Sequence, residues 1–160
     1  MRSVAIGAAV ALVVCNAALA GARDEAKVVP QGPIEQWRQH WGYSDIIVTG
    51  DLMFVTGQVA ETKEGDPDLQ AAYTRVFDRL GEILAKAGAS WDDVVEITSY
   101  HTDVKAQMGP MIAVKNRYVR APYPAWTAVQ VVRLIPDKAI TEIKLVARKA
   151  KRSGPVRTQK

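Results

Sequence analysis

Nine apolar residues, Leu69, Ala72, Tyr73, Val76, Phe77, Leu80, Ile83, Leu84 and Ala87, recur at three- and four-residue steps. That spacing is one continuous face of a long amphipathic helix. Such a helix must lay its apolar stripe on a second layer, and the sequence on both sides of it supplies β-strands. Asp66-Pro67 reads as the helix start, a capping carboxylate followed by a proline in the first turn, and Gly88 reads as the stop. Gly81 lies in mid-helix, where glycine costs about 1 kcal/mol against alanine. Its presence predicts a close neighbour, which we expect to be the sheet.

Before the helix, Ile46-Ile47-Val48 and Leu52-Met53-Phe54-Val55-Thr56 flank Thr49-Gly50-Asp51, which reads as a hairpin. Gly57 closes the second run and permits a sharp turn or a close backbone approach. Residues 61–68 are polar and form a loop. After the helix, Val94 to Thr102 alternates as a strand, and Ala106 to Arg120 forms a second, weaker helix, interrupted early by Gly109-Pro110. Ala121-Pro122-Tyr123-Pro124-Ala125 is an extended link. Trp126 to Leu134 and Ile140 to Arg148 are strands joined through Pro136-Asp137-Lys138. The order β-β-α-β-α-β-β predicts an α+β domain over residues 41–149, a mixed sheet with two helices on one face. The other sheet face needs a cover, and self-association is the simplest one.

The ends differ from this body. Met1-Arg2-Ser3 is a short positive start, Val4 to Val14 is uncharged and apolar, and Ala18-Leu19-Ala20 fits a small-x-small cleavage site. Residues 1–20 therefore read as a signal peptide, which predicts a periplasmic or secreted protein. The apolar run is short of the roughly 20 residues that span a bilayer, so no stable membrane insertion is expected after cleavage. Residues 21–40, with Pro30, Gly32 and Pro33, read as a loose lead-in. Cys15, the only cysteine, falls in the leader, so the mature chain would have no disulfide and no thiolate chemistry. Residues 150–160 read as a basic tail. Six bases and no acid lie between Ala147 and Lys160. Without them and Arg2, 14 Lys+Arg face 17 Asp+Glu. A body so balanced argues against a nucleic-acid partner, and Trp37, Trp41, Trp91 and Trp126 read as packing residues.

No metal-ligand cluster, phosphate loop or nucleophile elbow is visible. His40 and His101 are far apart, and His101 reads as an ordinary polar residue at a strand end. One residue stands out chemically. In Ile140-Thr141-Glu142-Ile143-Lys144-Leu145-Val146, alternation puts Glu142 on one face with Ile140, Lys144 and Val146. A carboxylate on a half-apolar face holds its proton more tightly and suits acid–base work. The plain alternative is a charge at an exposed sheet edge.

Several stretches together resemble the Rid (YjgF) family, whose founding members are enamine/imine deaminases. They are Gly42-Tyr43-Ser44, Thr49 to Gln58, Leu84 to Val95, Pro124-Ala125-Trp126-Thr127 and Thr141 to Arg148. The resemblance implies a chorismate-mutase-like fold, a homotrimer with its sheets packed inward, a small-molecule ligand in three intersubunit clefts, and no cofactor or metal. It places Tyr43, Thr56, Gly57 and Gln58 on cleft positions, with Thr56 in place of the commoner serine. It places Glu142 on the glutamate that activates water. The chain departs from the family at three positions. Trp126 stands where the deaminases carry a carboxylate-gripping arginine, Lys115 replaces a cleft asparagine, and Ala128 replaces a cysteine found in some members. Tryptophan offers one N–H and no charge, and lysine lacks the planar fork of arginine. The expectation is a Rid-like protein binding a small molecule through Tyr43, Thr56, Gly57, Gln58, Lys115, Trp126 and Ala128. Glu142 would lead the hydrolysis of an imine or enamine. The alternative is a non-catalytic ligand-binding or chaperone-like trimer.

Overall fold

The computed structural model describes residue 21, residues 23–29 and residues 40–149. The predicted leader, its cleavage site and the basic tail lie outside the described residues.

Six strands form one mixed sheet: β1 (Lys27–Val28), β2 (Ile46–Thr49), β3 (Leu52–Glu61), β4 (Val94–His101), β5 (Ala125–Gln130) and β6 (Ala139–Arg148). Their order is β1-β2-β3-β6-β4-β5. Among the described strands only β4 and β5 run parallel, joined through the second helix. Among the described residues, the helices α1 (Leu69–Lys86) and α2 (Val104–Tyr118) complete the predicted α+β architecture.

Period-two alternation divides β6 cleanly. Ala139, Thr141, Ile143, Leu145 and Ala147 are buried, while Ile140, Glu142 and Val146 are only half-buried and Lys144 and Arg148 are exposed. Of these, Ile143, Leu145 and Ala147 pack with Met53, Val55, Ile97 and the apolar stripe of α1 in one core. On the opposite face, Phe54 stands beside Val146, and Glu142 lies in one row with Val59, Tyr100 and Val129. Phe54 and Val129, in two different rows of this face, are each 40% exposed, so apolar side chains lie open on it in a single chain.

Local chemistry shifts several expected boundaries. Helix α1 starts at Leu69 with Asp68 as its cap, whose carboxylate accepts from the Gln70 N–H at 2.8 Å. Asp66, expected in that role, pairs with Arg75 across the loop at 2.7 Å. The guanidinium holds its carboxyl down at about 2. At the other end Gly88 takes φ +76° while the N–H groups of Gly88 and Ala89 donate to Ala85 and Leu84. That is a Schellman closure. Gly81 faces the Trp91 indole, 3.1 Å from where a Cβ would stand, rather than the sheet. Trp91, in a 3-10 turn (Trp91–Asp93), stacks on Phe77 at a centroid distance of 5.3 Å and meets Tyr118 at a tilt of 54° and 5.6 Å, and so joins the two helices. Pro110 lies inside α2 without dividing it. β5 ends at Gln130, short of Leu134. The lead-in read as loose contributes the short edge strand β1.

Candidate functional site

The site begins with a register shift. Val55 pairs with Leu145 and Gln58 with Ile143, so β3 spends one residue more than β6 between the two pairs. This bulge contains Thr56 and Gly57 and bends the strand where Glu142 crosses it. A Cβ on Gly57 would lie 2.6 Å from Glu142 Cδ and 2.7 Å from its Cγ. Position 57 is glycine because the Glu142 side chain occupies that volume. The local loop is fixed as well. The Thr56 hydroxyl donates to the Ser44 carbonyl at 2.5 Å and its N–H to the Asp45 carbonyl at 2.9 Å. These bonds hold the segment carrying Tyr43 against the bulge.

Tyr43, Gly57, Gln58 and Glu142 line one cavity of about 690 Å³. Arg79 of α1, and Arg133 with the adjoining turn, complete its wall. Arg133 is engaged by Asp137 at 2.5 Å. Burial raises the Glu142 carboxyl above its ordinary value of 4.5. A half-buried carboxylate of this kind is suited to take and return a proton.

A second cavity, of about 380 Å³, lies between α2 and β5. Lys115, Asn116, Tyr123, Trp126, Ile97 and Ile112 line it. Lys115 is 8% exposed. Its Nζ donates to Asn116 Oδ1 at 2.9 Å. It lies 5.1 Å from the Trp126 ring centroid and 5.6 Å from that of Tyr123. Burial alone lowers its affinity for the proton.

The Trp126 indole is anchored from below by a buried polar chain. Its N–H donates to Ser99 Oγ at 3.0 Å, and Ser99 Oγ lies 3.0 Å from His101 Nε2. His101 Nδ1 is 3.2 Å from Thr141 Oγ1, which also meets the Tyr73 hydroxyl at 2.7 Å and Gln107 Oε1 at 3.3 Å. His101 is fully buried, unlike the ordinary strand-end residue expected, and burial lowers its pKa below 6.5. With His101 neutral, one consistent arrangement satisfies every group: Ser99 donates to Nε2, and Nδ1–H donates to Thr141.

The structure thus splits the predicted site residues within one chain. Tyr43, Gly57, Gln58 and Glu142 share one cavity, while Lys115 and Trp126 share another. Thr56 acts through its bond to Ser44, and Ala128 pairs with Ser99 in the sheet; neither lines these two cavities. Sequence reasoning missed Arg79, an exposed helix residue without a local signal. It also missed Tyr123, whose position between two prolines in a rigid link was the available clue. Among the described residues, no group of three His, Cys, Asp or Glu could hold a metal ion, and no helix is long and apolar enough to cross a membrane.

Residues 34–149 match the family described as Endoribonuclease L-PSP, and the chain belongs to that family, the YjgF group the sequence resembles. It is 41% identical over 128 residues to the RutC family protein YjgH of Escherichia coli, covering 78% of this chain and 95% of that one. A RutC family protein of Pyrococcus abyssi is 34% identical over 111 residues, covering 67% and 86% of the two chains. The solved structure of YjgH matches with a TM-score of 0.65, 39% identity and coverage of 78% and 95%. Rv2704 of Mycobacterium tuberculosis, from the YjgF/YER057c/UK114 family, matches with a TM-score of 0.66, 25% identity and coverage of 77% and 98%.

Proposed function

We propose that this protein is an exported Rid-like homotrimer that binds a small molecule between subunits and hydrolyses an imine or enamine, with Glu142 activating the attacking water. The observation that carries this reading is the Glu142 side chain lying across Gly57 in a cavity of about 690 Å³, its carboxyl raised by burial. As base, Glu142 takes a proton from water, and the resulting hydroxide adds to the C=N carbon. The nitrogen of the tetrahedral adduct is protonated, ammonia leaves and a carbonyl remains. Trimerisation explains two features. It covers the exposed apolar side chains of Phe54 and Val129 on the open sheet face, and it offers a route for one subunit's Lys115–Trp126 wall to meet a neighbour's Glu142 cavity.

Within one chain Trp126 lines the Lys115 cavity and not the Glu142 cavity, so the Glu142 cavity keeps room for a small molecule, which favours ligand binding over a chaperone-like surface role. The family description refers to ribonucleolysis. A body with 14 Lys+Arg against 17 Asp+Glu offers little of the basic track that RNA requires.

The test is turnover by the trimmed protein on imines generated in situ by an amino-acid oxidase, alongside sedimentation equilibrium. A trimer that accelerates ammonia release above the buffer rate supports the reading. A stable monomer at micromolar concentration, or a trimer with no acceleration across the imine panel, overturns it.

A further inference from the structure

His101, Ser99 and Thr141 are fully buried, and the hydrolysis proposed for Glu142 uses none of them. The imidazole sits between two hydroxyls, with Ser99 Oγ 3.0 Å from Nε2 and Thr141 Oγ1 3.2 Å from Nδ1. The groups facing the ring are Ser99 of β4, Thr141 of β6 and Gln107 of α2, with Tyr73 of α1 behind Thr141. Tyr73 is the titratable member, and burial pushes its hydroxyl up to about 12, so it stays neutral. Glu96, Tyr100, Glu142 and Lys144 alternate to the opposite sheet face. On the far side of Ser99, its oxygen accepts from the Trp126 indole N–H at 3.0 Å, and the Lys115 ammonium lies 5.1 Å from that indole ring.

With His101 neutral, the hydrogen bonds run in one direction. The indole N–H donates to Ser99 Oγ, and the Ser99 O–H donates to Nε2. Bonds in such a chain polarise one another, so the Ser99 oxygen accepts the indole more strongly while its own proton is engaged. A proton on Nε2 reverses the second bond. Ser99 Oγ then faces two donors, and its hydroxyl proton loses its acceptor at a fully buried position, which is costly. We infer that His101 positions Trp126 by its charge state, through Ser99. The neutral imidazole fixes the indole against β4 and the imidazolium loosens it, so the wall of the cavity between α2 and β5 responds to acid. Burial lowers the proton affinity of His101, which places the release below pH 6.5. This goes beyond the hydrolytic reading and stands whether or not Glu142 activates water.

The test is an NMR titration of the wild-type protein from pH 8 toward pH 4, with the Trp126 indole and His101 ring resonances assigned through the backbone. At pH 8 the His101 ring nitrogens should show Nδ1 protonated and Nε2 bare. On acidification the Trp126 indole proton should move upfield in one step. Its midpoint should coincide with that of the His101 ring and lie below 6.5. Ser99→Ala should leave His101 titrating and abolish the indole step, whereas Lys115→Met should keep the step. A proton on Nε2 at pH 8, an indole signal that stays flat while His101 titrates, or an indole step with a different midpoint would overturn the inference. So would a step that survives in folded Ser99→Ala, a step lost in folded Lys115→Met, or unfolding before His101 takes up its proton. The wild-type titration decides the matter even where a variant does not fold, and imine turnover has no part in the readout.

Discussion

The Glu142 side chain occupies the space in which residue 57 would carry a Cβ. A strand bulge with its glycine and a carboxylate far along the chain therefore form one steric unit. Gly57→Ala must displace Glu142 or the bulge. We expect a stability loss of about 1–3 kcal/mol, in the range of overpacking changes. Truncation of the carboxylate side chain should relieve it, so the cost of Gly57→Ala should shrink in a Glu142→Ala background. Urea unfolding of the four proteins of this cycle measures that coupling. Additive losses would show that the two positions do not compete for space.

The raised Glu142 carboxyl has a consequence for stability. In the folded chain it keeps its proton above 4.5, whereas the unfolded chain releases it there. Folding thus binds the proton, and wild-type stability declines as pH rises from 4.5 through the folded value. Glu142→Gln lacks this penalty. The variant should gain on the wild type between pH 4 and pH 7, read as the difference in urea midpoints. A constant difference across that range would contradict the assignment.

Thr141 joins Tyr73, His101 and Gln107 in the core. Thr141→Val keeps the shape and removes the oxygen, leaving those groups short of a partner. The expected cost is about 1–3 kcal/mol, the usual range for an unsatisfied buried polar group. His101 should add a pH signature of opposite sign to that of Glu142. Its folded pKa lies below 6.5, so the unfolded chain takes up the proton first and stability falls as pH drops below 6.5. His101→Asn should flatten that limb of the stability profile.

The order of elements was legible because the α1 stripe and the alternation of β6 each bury one face. The position of Glu142 on the half-exposed face followed from the same alternation. What escaped was set by contacts distant in sequence. Asp66 looked like the helix cap, but Arg75 claims it and Asp68 takes the role. Gly81 correctly announced a close neighbour, yet only the folded chain shows that it is Trp91. His101 looked ordinary because its partners Ser99, Thr141 and Gln107 come from three elements. The separation of Lys115 and Trp126 from Glu142 is likewise a property of the folded chain.

The reassigned cap is itself testable. Asp68→Ala should destabilise α1 and the domain by about 1 kcal/mol, the typical value of an N-cap. Asp66→Ala should leave the helix start in place and release Arg75. Thermal unfolding of the two variants, with helix content from circular dichroism, distinguishes the roles.

The measurement closest to the central claim is the rate of ammonia release from an imine that the wild-type trimer hydrolyses, compared with Glu142→Gln at equal trimer concentration. Loss of a positioned acid–base group predicts a fall on the order of 10²-fold, with the variant still folded and still trimeric. Equal rates in the two proteins would show that Glu142 does not activate water and would contradict the account.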